Sequence, residues 1–364
     1  MRPMLCALPM QTTDRTDKTK MPESYAAMAL VAPRTFEQQQ RLLTPLAANE
    51  VWLRVRTTGV CGTDIAIYKG QYKVPLPRVL GHEFCAEVAH IGDQVPPSWL
   101  GRRVVAEINN ACPEIKANTN CPTCGHLHPN HCAKRTVTGI IQADGAFAEY
   151  VRVPVATLHA LPDEISDEIA IFVEPMAAAL QTFVMRPLVN GERVAVLGAG
   201  RLGLLIIAAA QASGAQVIAI TRSEIRKQWA LNFGAEAVFS PHQDTEQDLR
   251  SVFHGHLADV VVEATGTPEG LAEATRLVRP RGTICLKTTP GVPSEIDLTK
   301  IVVDEIQLSG SRCGPFASAI HFLEQTRIPL QRFLTERFPL AQLASAMKAA
   351  KQPGKVLVYP ILEK

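Results

Sequence analysis

The clearest hydrophobic pattern in the chain runs from residue 194 to residue 212. Four apolar residues, Val-Ala-Val-Leu, lead into Gly198-Ala-Gly200-Arg-Leu-Gly203, and a long apolar run follows. This order predicts a buried strand, a tight turn and a buried helix. Gly198 permits the turn, Gly200 lets the backbone approach a pyrophosphate, and Gly203 lets helix and strand pack closely. The pattern favours a dinucleotide-binding turn over a tight turn without a ligand.

Strand and helix patterns alternate through the rest of this region, residues 178–312. After the turn, strands are predicted at 215–221, 259–266 and 283–287, with helices at 223–233 and 270–278. Residues 305–310 form one more strand pattern that could close the sheet. Strands that alternate with helices predict an α/β fold with a parallel, doubly wound sheet.

The chain before residue 177 has a different pattern, with short β segments separated by Gly and Pro. They lie near residues 28–31, 50–57, 86–89, 101–106 and 145–151. A turn at 59–64 opens a short helical segment. This part therefore reads as a β-rich domain. Beyond Cys313 come two helical patterns, 315–325 and 340–351, and a final strand, 355–358.

Residues 1–24 are polar apart from a brief apolar patch at 4–10. The patch is too short and too weakly flanked to predict a signal peptide, so we expect a disordered extension on a cytoplasmic protein. The chain has 364 residues, 46% of them hydrophobic and 20% charged, which suits a soluble protein of two domains. The net charge of +2 does not favour nucleic acid as a partner. No apolar run reaches the length of a membrane span, so we expect no membrane partner.

Nine cysteines are present, an odd number, and four of them crowd into one short segment: Cys112, Cys121, Cys124 and Cys132. In a long chain without a secretory signal, metal binding is more common than disulfides for such a cluster. We therefore expect these four thiols to bind a metal.

A second set of metal-binding residue types is spread along the chain: Cys61, His82, Glu83 and Glu174. A thiolate, an imidazole and a carboxylate are the ligands of a catalytic zinc that keeps one position open. Such a zinc acts as a Lewis acid on a carbonyl or an alcohol. Each residue taken alone also has an ordinary explanation, because a single Cys is usually a buried small hydrophobe and a single His or Glu is usually hydrogen-bonded or solvated.

The order of motifs is more specific than any one of them. Cys61-Gly-Thr63-Asp64, Gly81-His82-Glu83, the cysteine cluster, Glu174-Pro175, the glycine turn and Glu263-Ala-Thr-Gly266 follow one another. This series resembles the zinc-containing medium-chain alcohol dehydrogenase family, and its threonine and sorbitol (polyol) dehydrogenase branch in particular. The resemblance implies a GroES-like β-rich catalytic domain, residues 25–177 and 313–364, around a Rossmann domain, residues 178–312. The active site would lie in the cleft between them.

The resemblance also implies roles for the residues of the catalytic site. Cys61 and His82 would be zinc ligands, and Glu174 would be a carboxylate ligand that sometimes acts through water. Glu83 would be the nearby carboxylate that can move onto the metal. Thr63 would pass on the hydroxyl proton of the substrate, because a hydroxyl both accepts and donates. Asp64 would not bind the metal itself but would hold the imidazole in the orientation and tautomer that bind it.

The cysteine cluster resembles the structural-zinc lobe of the family, a closed site of four thiolates. Here the sequence departs from the family pattern, because Asn118 stands where the first cysteine of the lobe is expected. Cys112 is the nearest substitute, and residues 113–120 between it and Cys121 look like an insertion. A longer loop can still close around a metal at a modest entropic cost. The alternative is a lobe that has lost its metal.

The cofactor contacts expected from the sequence fall into two groups. The first surrounds the pyrophosphate: Gly198, Ala199, Gly200, Arg201, Leu202 and Gly203. The second lies near the ribose and the end of a later strand: Thr221, Arg222, Ser223, Arg226 and Thr265. An NAD enzyme places Asp or Glu at the end of the second strand, but Thr221 and Arg222 stand there. Since a guanidinium suits a 2′-phosphate, the sequence favours NADP over NAD. Glu224 is weak evidence for NAD, because it is a carboxylate close to the same strand end.

The sequence thus predicts a zinc-dependent oxidoreductase that transfers a hydride between a secondary alcohol or polyol-type substrate and NAD(P), as a homodimer or homotetramer. Two other functions remain open. One is a zinc-free NADPH-dependent reductase of quinones or enones, and the other is a non-catalytic NADPH-binding sensor. The metal content separates both from the dehydrogenase.

Overall fold

The computed structural model describes residues 22–112, 129–287, 289, 291–326 and 328–360. Its first part is rich in short strands: β1 (Ser24–Ala32), β2 (Thr35–Leu42), β3 (Glu50–Gly59), β4 (Arg78–Val79), β5 (Glu83–Ile91), β6 (Arg103–Ala106), β7 (Asn109–Asn110), β8 (Thr136–Thr138), β9 (Gln142–Ala143), β10 (Tyr150–Pro154) and β11 (Leu158–Ala160). Three helices accompany them: α1 (Gly62–Tyr68), α2 (Asp167–Ala170) and α3 (Val173–Met185). The predicted β-rich region is confirmed.

The middle of the chain alternates strands and helices as predicted. The elements are β12 (Arg193–Leu197), α4 (Arg201–Ala212), β13 (Gln216–Ile220), α5 (Glu224–Asn232), β14 (Ala237–Phe239), α6 (Thr245–Val252), β15 (Ala258–Glu263), α7 (Gly270–Leu277), β16 (Val278–Leu286), α8 (Leu298–Val303) and β17 (Gln307–Gly310). The sheet order is β14-β13-β12-β15-β16-β17, and every neighbouring pair is parallel. The strand order reverses between β12 and β15, which is where such sheets bind dinucleotides.

The last elements are α9 (Phe316–Gln325), α10 (Leu330–Phe333), β18 (Leu334–Pro339), α11 (Leu343–Ala349) and β19 (Lys355–Tyr359). Strand β19 pairs antiparallel with β3, where Leu357 faces Gly59. The end of the chain therefore completes a seven-stranded sheet of order β11-β6-β5-β3-β19-β18, and β10 also pairs with β3. This pairing brings residues from the start and the end of the chain into one layer.

The buried apolar residues form separate hydrophobic cores. The β12–β13–β15 strands are almost entirely buried, and α3, α4 and α9 share one hydrophobic core on a face of the parallel sheet. A second core lies around β3, β5 and β10, with Leu53 and Val55 at its centre. No helix in the described ranges is long and apolar enough to span a bilayer.

Several details differ from the sequence prediction. Helix α3 begins at Val173, so it crosses the expected domain boundary between residues 177 and 178, and the domain limits stay a prediction. The pattern at 340–351 divides into a 3₁₀ turn, Leu340–Gln342, and α11. The predicted extension lies outside the described residues as far as residue 21.

Candidate active site

Asp64 organises the first part of the site. It lies in the first turn of α1, is fully buried, and accepts a hydrogen bond from the backbone N–H of Cys61 over 2.9 Å. Its other oxygen accepts from the backbone N–H of Gly81 over 3.3 Å. The same oxygen lies 3.4 Å from Nδ1 of His82. One carboxylate therefore holds the two segments that carry Cys61 and His82, although they are about twenty residues apart in sequence.

His82 is buried between Asp64 and Cys61. Its Nδ1 atom has no well-aligned hydrogen bond to any described residue, and the side chain of Cys61 contacts the ring. Burial lowers the pKa of His82, but the charges of Asp64 and Cys61 outweigh burial and hold this pKa well above its usual value. The structure brings Cys61, His82 and Asp64 together as the sequence suggested. Thr63 lies half-buried beside them in α1, with no side-chain hydrogen bond to another described residue.

Glu83 has a partner that the sequence did not reveal. Its carboxylate accepts a hydrogen bond from the ammonium of Lys355, and both side chains are almost completely buried. The two residues approach each other across the end of β3, where a Cβ on Gly59 would lie only 2.7 Å from Cε of Lys355. The ammonium also lies 6.0 Å from the ring centre of Phe172. The sequence offered one indication of this pair, because a lysine at the start of the apolar strand β19 needs a partner for its charge.

Glu174 lies in the first turn of α3, within electrostatic range of His82 and Glu83. Burial raises the pKa of Glu174 to about 7; Glu83 also raises this pKa, while His82 and Lys355 lower it. Cys313 and Asn109 lie nearby, and neither was singled out from the sequence. Burial and Glu174 raise the pKa of the Cys313 thiol, and the amide of Asn109 hydrogen-bonds it.

The donor types fit zinc, because a thiol and an imidazole already contact each other and the carboxylate of Glu174 interacts electrostatically with the imidazole. Within the described part of the chain, no three His, Cys, Asp or Glu side chains form a compact metal cluster. Of the expected zinc ligands, Cys61 and His82 are therefore already in contact, whereas Glu174 does not form a compact group with them.

The expected structural-zinc lobe is described only at its ends. Cys112 and Cys132 are buried together with Ala111 against them, although twenty residues separate them in sequence. Cys121, Cys124, Asn118 and the segment 113–120 lie outside the described residues. The closeness of Cys112 and Cys132 agrees with a shared site, and the site itself stays a prediction.

The glycine turn has the geometry expected of it. Gly198 has a φ of +94°, and a Cβ there would lie 2.6 Å from the carbonyl oxygen of Ala264. A Cβ on Gly203 would lie 1.8 Å from the carbonyl oxygen of Gly198, so only glycine allows α4 to approach the turn this closely. Gly200 is the N-cap of α4 and faces open space, where a phosphate could approach. Ala199 is buried and Leu202 is half-buried beside them.

Arg201 points away from this turn. Its guanidinium donates to the carbonyl oxygens of Ala350, Gln352 and Gly354, with Nε 2.7 Å from that of Gly354. In this conformation Arg201 ties the start of α4 to the segment that precedes Lys355. It does not face the space beside Gly200 that the sequence prediction assigned to it.

The residues expected near the ribose lie at the end of β13. Thr221 is buried, Ser223 and Arg226 are half-buried, and Arg222 is exposed, within electrostatic range of Glu269. Glu224 lies in the first turn of α5, and its Oε1 is 2.7 Å from Nζ of Lys227.

Thr265 follows β15, and its hydroxyl donates to Glu263 over 2.6 Å. The carboxyl ends of β12, β13 and β15 therefore place both groups of expected cofactor contacts at one edge of the sheet.

Comparisons with known proteins agree with this geometry. Residues 47–163 match the alcohol dehydrogenase GroES-like domain, and residues 202–325 match the zinc-binding dehydrogenase family. An L-threonine 3-dehydrogenase of Bacillus licheniformis is 31% identical over 325 residues, covering 86% of this chain and 92% of the relative. A sorbitol dehydrogenase of Bacillus subtilis is 28% identical over 356 residues, covering 93% and 98%.

A crystal structure of an alcohol dehydrogenase from Escherichia coli CFT073, complexed with NADH, superposes with a TM-score of 0.85. That protein is 26% identical, and the match covers 93% of this chain and 100% of the other. The predicted family and fold class are thereby confirmed. The chain belongs to the zinc-containing medium-chain alcohol dehydrogenase family, whose members are oxidoreductases that use a nicotinamide cofactor.

Proposed function

We propose that this protein is a zinc-dependent dehydrogenase acting on a secondary alcohol or polyol-type substrate, with Cys61, His82 and Glu174 as the catalytic zinc ligands. The main support for the proposal is the contact between Cys61 and His82. The buried carboxylate of Asp64 accepts a hydrogen bond from the backbone of Cys61 and lies beside Nδ1 of His82. A thiol and an imidazole held together by a third group are arranged for a metal.

In the proposed mechanism each residue has a separate task. The carboxylate of Asp64 lies 3.4 Å from Nδ1 of His82, so the other ring nitrogen would be the one that binds the metal. Zinc held by these residues would supply a Lewis acid that lowers the pKa of a substrate hydroxyl, and the nicotinamide of a dinucleotide bound at Gly200 would supply the hydride acceptor. The free hydroxyl of Thr63 accepts the substrate proton and donates its own onward. Glu83 is held by Lys355, so we assign the third ligand to Glu174 and reserve Glu83 for a state in which this pair opens.

Metal analysis together with Cys61→Ser tests this assignment. We expect zinc in the purified wild-type enzyme and a loss of turnover of at least ~10³-fold in Cys61→Ser, with dinucleotide binding intact. Unchanged turnover in the variant contradicts the role of Cys61. A wild-type protein that binds dinucleotide and holds no zinc would instead support the zinc-free reductase or the sensor.

We also propose a structural zinc bound by Cys112, Cys121, Cys124 and Cys132. The buried pair Cys112 and Cys132 supports it, since the ends of the intervening segment are already close. The wild type should then hold roughly two zinc ions per chain, and Cys132→Ser about one, because a structural site needs all four ligands. A stoichiometry near one in both proteins would refute the second site.

We propose that NADP is preferred over NAD. Arg222 is exposed at the end of β13, whereas the nearby acid Glu224 is paired with Lys227. An exposed guanidinium can bind a 2′-phosphate in a bidentate way. Arg222→Gln should raise the KM for NADP by about ten- to a hundredfold, since a charge-assisted hydrogen bond contributes about 1.5–3 kcal/mol, and leave the KM for NAD unchanged. A wild-type preference for NAD would overturn the proposal.

The expectation of a homodimer or homotetramer has a physical basis at the edge of the parallel sheet. Strand β17 ends that sheet, and Leu308, Val302 and Val303 are exposed beside it. An edge strand with exposed apolar side chains favours pairing with a second copy. Light scattering of the wild type and of Leu308→Lys would test it, and a monomeric wild type would contradict it.

The cytoplasmic location and the domain limits likewise stay predictions.

A further inference from the structure

Lys287 is a largely buried lysine that none of the roles above uses. It is the first residue after β16, and its ammonium donates only to neutral oxygens. These are the carbonyl oxygen of Ala178 at 2.8 Å, Oγ and the carbonyl oxygen of Ser311 at 3.0 and 3.2 Å, and the carbonyl oxygen of Arg312 at 3.3 Å. Lys287 therefore links α3 to the segment that follows β17.

The sheet topology places this ammonium beside one half of the cofactor. In a sheet of order β14-β13-β12-β15-β16-β17, a dinucleotide lies across the carboxyl ends of the strands and spans both halves. The ribose-recognition residues after β13 mark the adenosine half. The nicotinamide half therefore lies over the carboxyl ends of β15, β16 and β17. Lys287 and Ser311 are the residues that immediately follow β16 and β17.

The electrostatic neighbours of Lys287 also place it beside the nicotinamide half of the cofactor. Its charge interacts with Cys313, Glu174 and Cys285. Glu174 is a proposed ligand of the catalytic metal, and the substrate carbon there must come within about 3.5 Å of the nicotinamide for hydride transfer. Burial lowers the pKa of Lys287 to about 8, which still leaves the side chain charged at neutral pH.

We propose that Lys287 is a positioning residue that places a fixed positive charge beside the nicotinamide and thereby favours its reduced form. The oxidised ring is a cation and the reduced ring is neutral, so the ammonium repels only the oxidised state. During oxidation of the alcohol, its C–H bond breaks, and the electron pair and hydrogen form a new C–H bond on the ring. The ring loses its charge, and the hydroxyl proton leaves to solvent. This proposal rests on the proposed function, since it assumes hydride transfer at this site.

Equilibrium binding of the two redox forms tests the proposal without any substrate. Dissociation constants for NADP⁺ and NADPH, and for NAD⁺ and NADH, are measured on zinc-loaded wild type, Lys287→Met and Lys287→Arg. We expect the wild type to bind the reduced form more tightly. In Lys287→Met the ratio of the oxidised to the reduced constant should fall about tenfold, the size expected for unit charges ~10 Å apart at an effective dielectric of ~20. Lys287→Arg, which keeps the charge, should retain most of the wild-type ratio.

Lys348→Met is the matched control, because it removes an exposed lysine of α11 and should leave the ratio unchanged. Equal loss of affinity for both redox forms in Lys287→Met would show a merely structural role and overturn the proposal. Equal affinity for both forms in the wild type would also overturn it, even if Lys287→Met did not fold. The ratio needs neither zinc chemistry nor turnover, so its failure is distinguishable from failure of the dehydrogenase assignment.

Discussion

The two halves of the candidate active site are built in different ways. The cofactor turn is a single stretch of chain, residues 198–203, in which backbone atoms approach closely because Gly198 and Gly203 have no side chain. The metal half is assembled from side chains far apart in sequence, including Cys61, His82 and Lys355. Several of these side chains are buried charges.

This difference has an energetic consequence. In the turn, a methyl group added at Gly198 or Gly203 collides with backbone, so the cost is steric and local. In the metal half, removal of one charge leaves its partner buried and unpaired, so the cost is electrostatic and falls on a distant residue. Substitutions in each half can therefore measure the steric cost and the electrostatic cost separately.

The largest effect should come from Lys355→Met. This change leaves the carboxylate of Glu83 buried without its partner, and we expect a loss of about 3–5 kcal/mol in the free energy of unfolding. Urea denaturation measures it. The double variant Glu83→Gln with Lys355→Met should lose clearly less. If the single variant stays within about 1 kcal/mol of wild type, the pair does not stabilise the fold in this way.

Gly203→Ala should have the next largest effect, since its Cβ would lie 1.8 Å from the carbonyl oxygen of Gly198. We expect a loss of about 2–3 kcal/mol and weaker dinucleotide binding, because α4 must shift. Gly200→Ala is the matched control, as its Cβ meets no atom of the described chain within 4 Å. It should keep its thermal stability and lose only dinucleotide affinity. Equal destabilisation of the two variants would show that the close packing at Gly203 is unimportant.

Asp64→Asn separates geometry from charge in the metal half. The amide loses the charge that faces His82, and it keeps only one of the two oxygens that accept from the backbone N–H groups of Cys61 and Gly81. We expect zinc affinity to fall by about 10- to 100-fold, as is usual when a group that orients a metal ligand is changed. Competition with a chromophoric chelator measures this, and wild-type affinity would remove Asp64 from the site.

The smallest effect concerns Asp259, a charge in the parallel sheet remote from the glycine turn. Burial raises the pKa of Asp259, but hydrogen bonds from Arg193 and Arg279 outweigh it and hold this pKa far below its usual value. The fold therefore gains stability from the ionised carboxylate above about pH 4, and loses it as the pH falls further, because only the unfolded chain then takes up the proton.

Asp259→Asn should accordingly be about 1 kcal/mol less stable than wild type at pH 7. Its unfolding free energy should also fall less steeply between about pH 4 and pH 2. Denaturant titrations at several pH values would show this. Parallel pH profiles for the two proteins would mean that Asp259 does not contribute to acid unfolding.

The sequence alone was sufficient for the features whose causes are local. Apolar periodicity and glycine spacing depend on neighbouring residues, so the parallel sheet, the short helix at α1 and the turn around Gly200 could be predicted with bounds close to those observed. The motif series added the types of ligand expected at Cys61 and His82, and the structure brings these two into contact.

The features that only the tertiary structure decided are the partners of buried charges. Lys355 meets Glu83 because β19 pairs with β3, Arg201 turns to the segment before β19, and Lys287 reaches α3. No local pattern encodes such contacts, since a charge leaves water only where folding brings a partner to it from elsewhere in the chain.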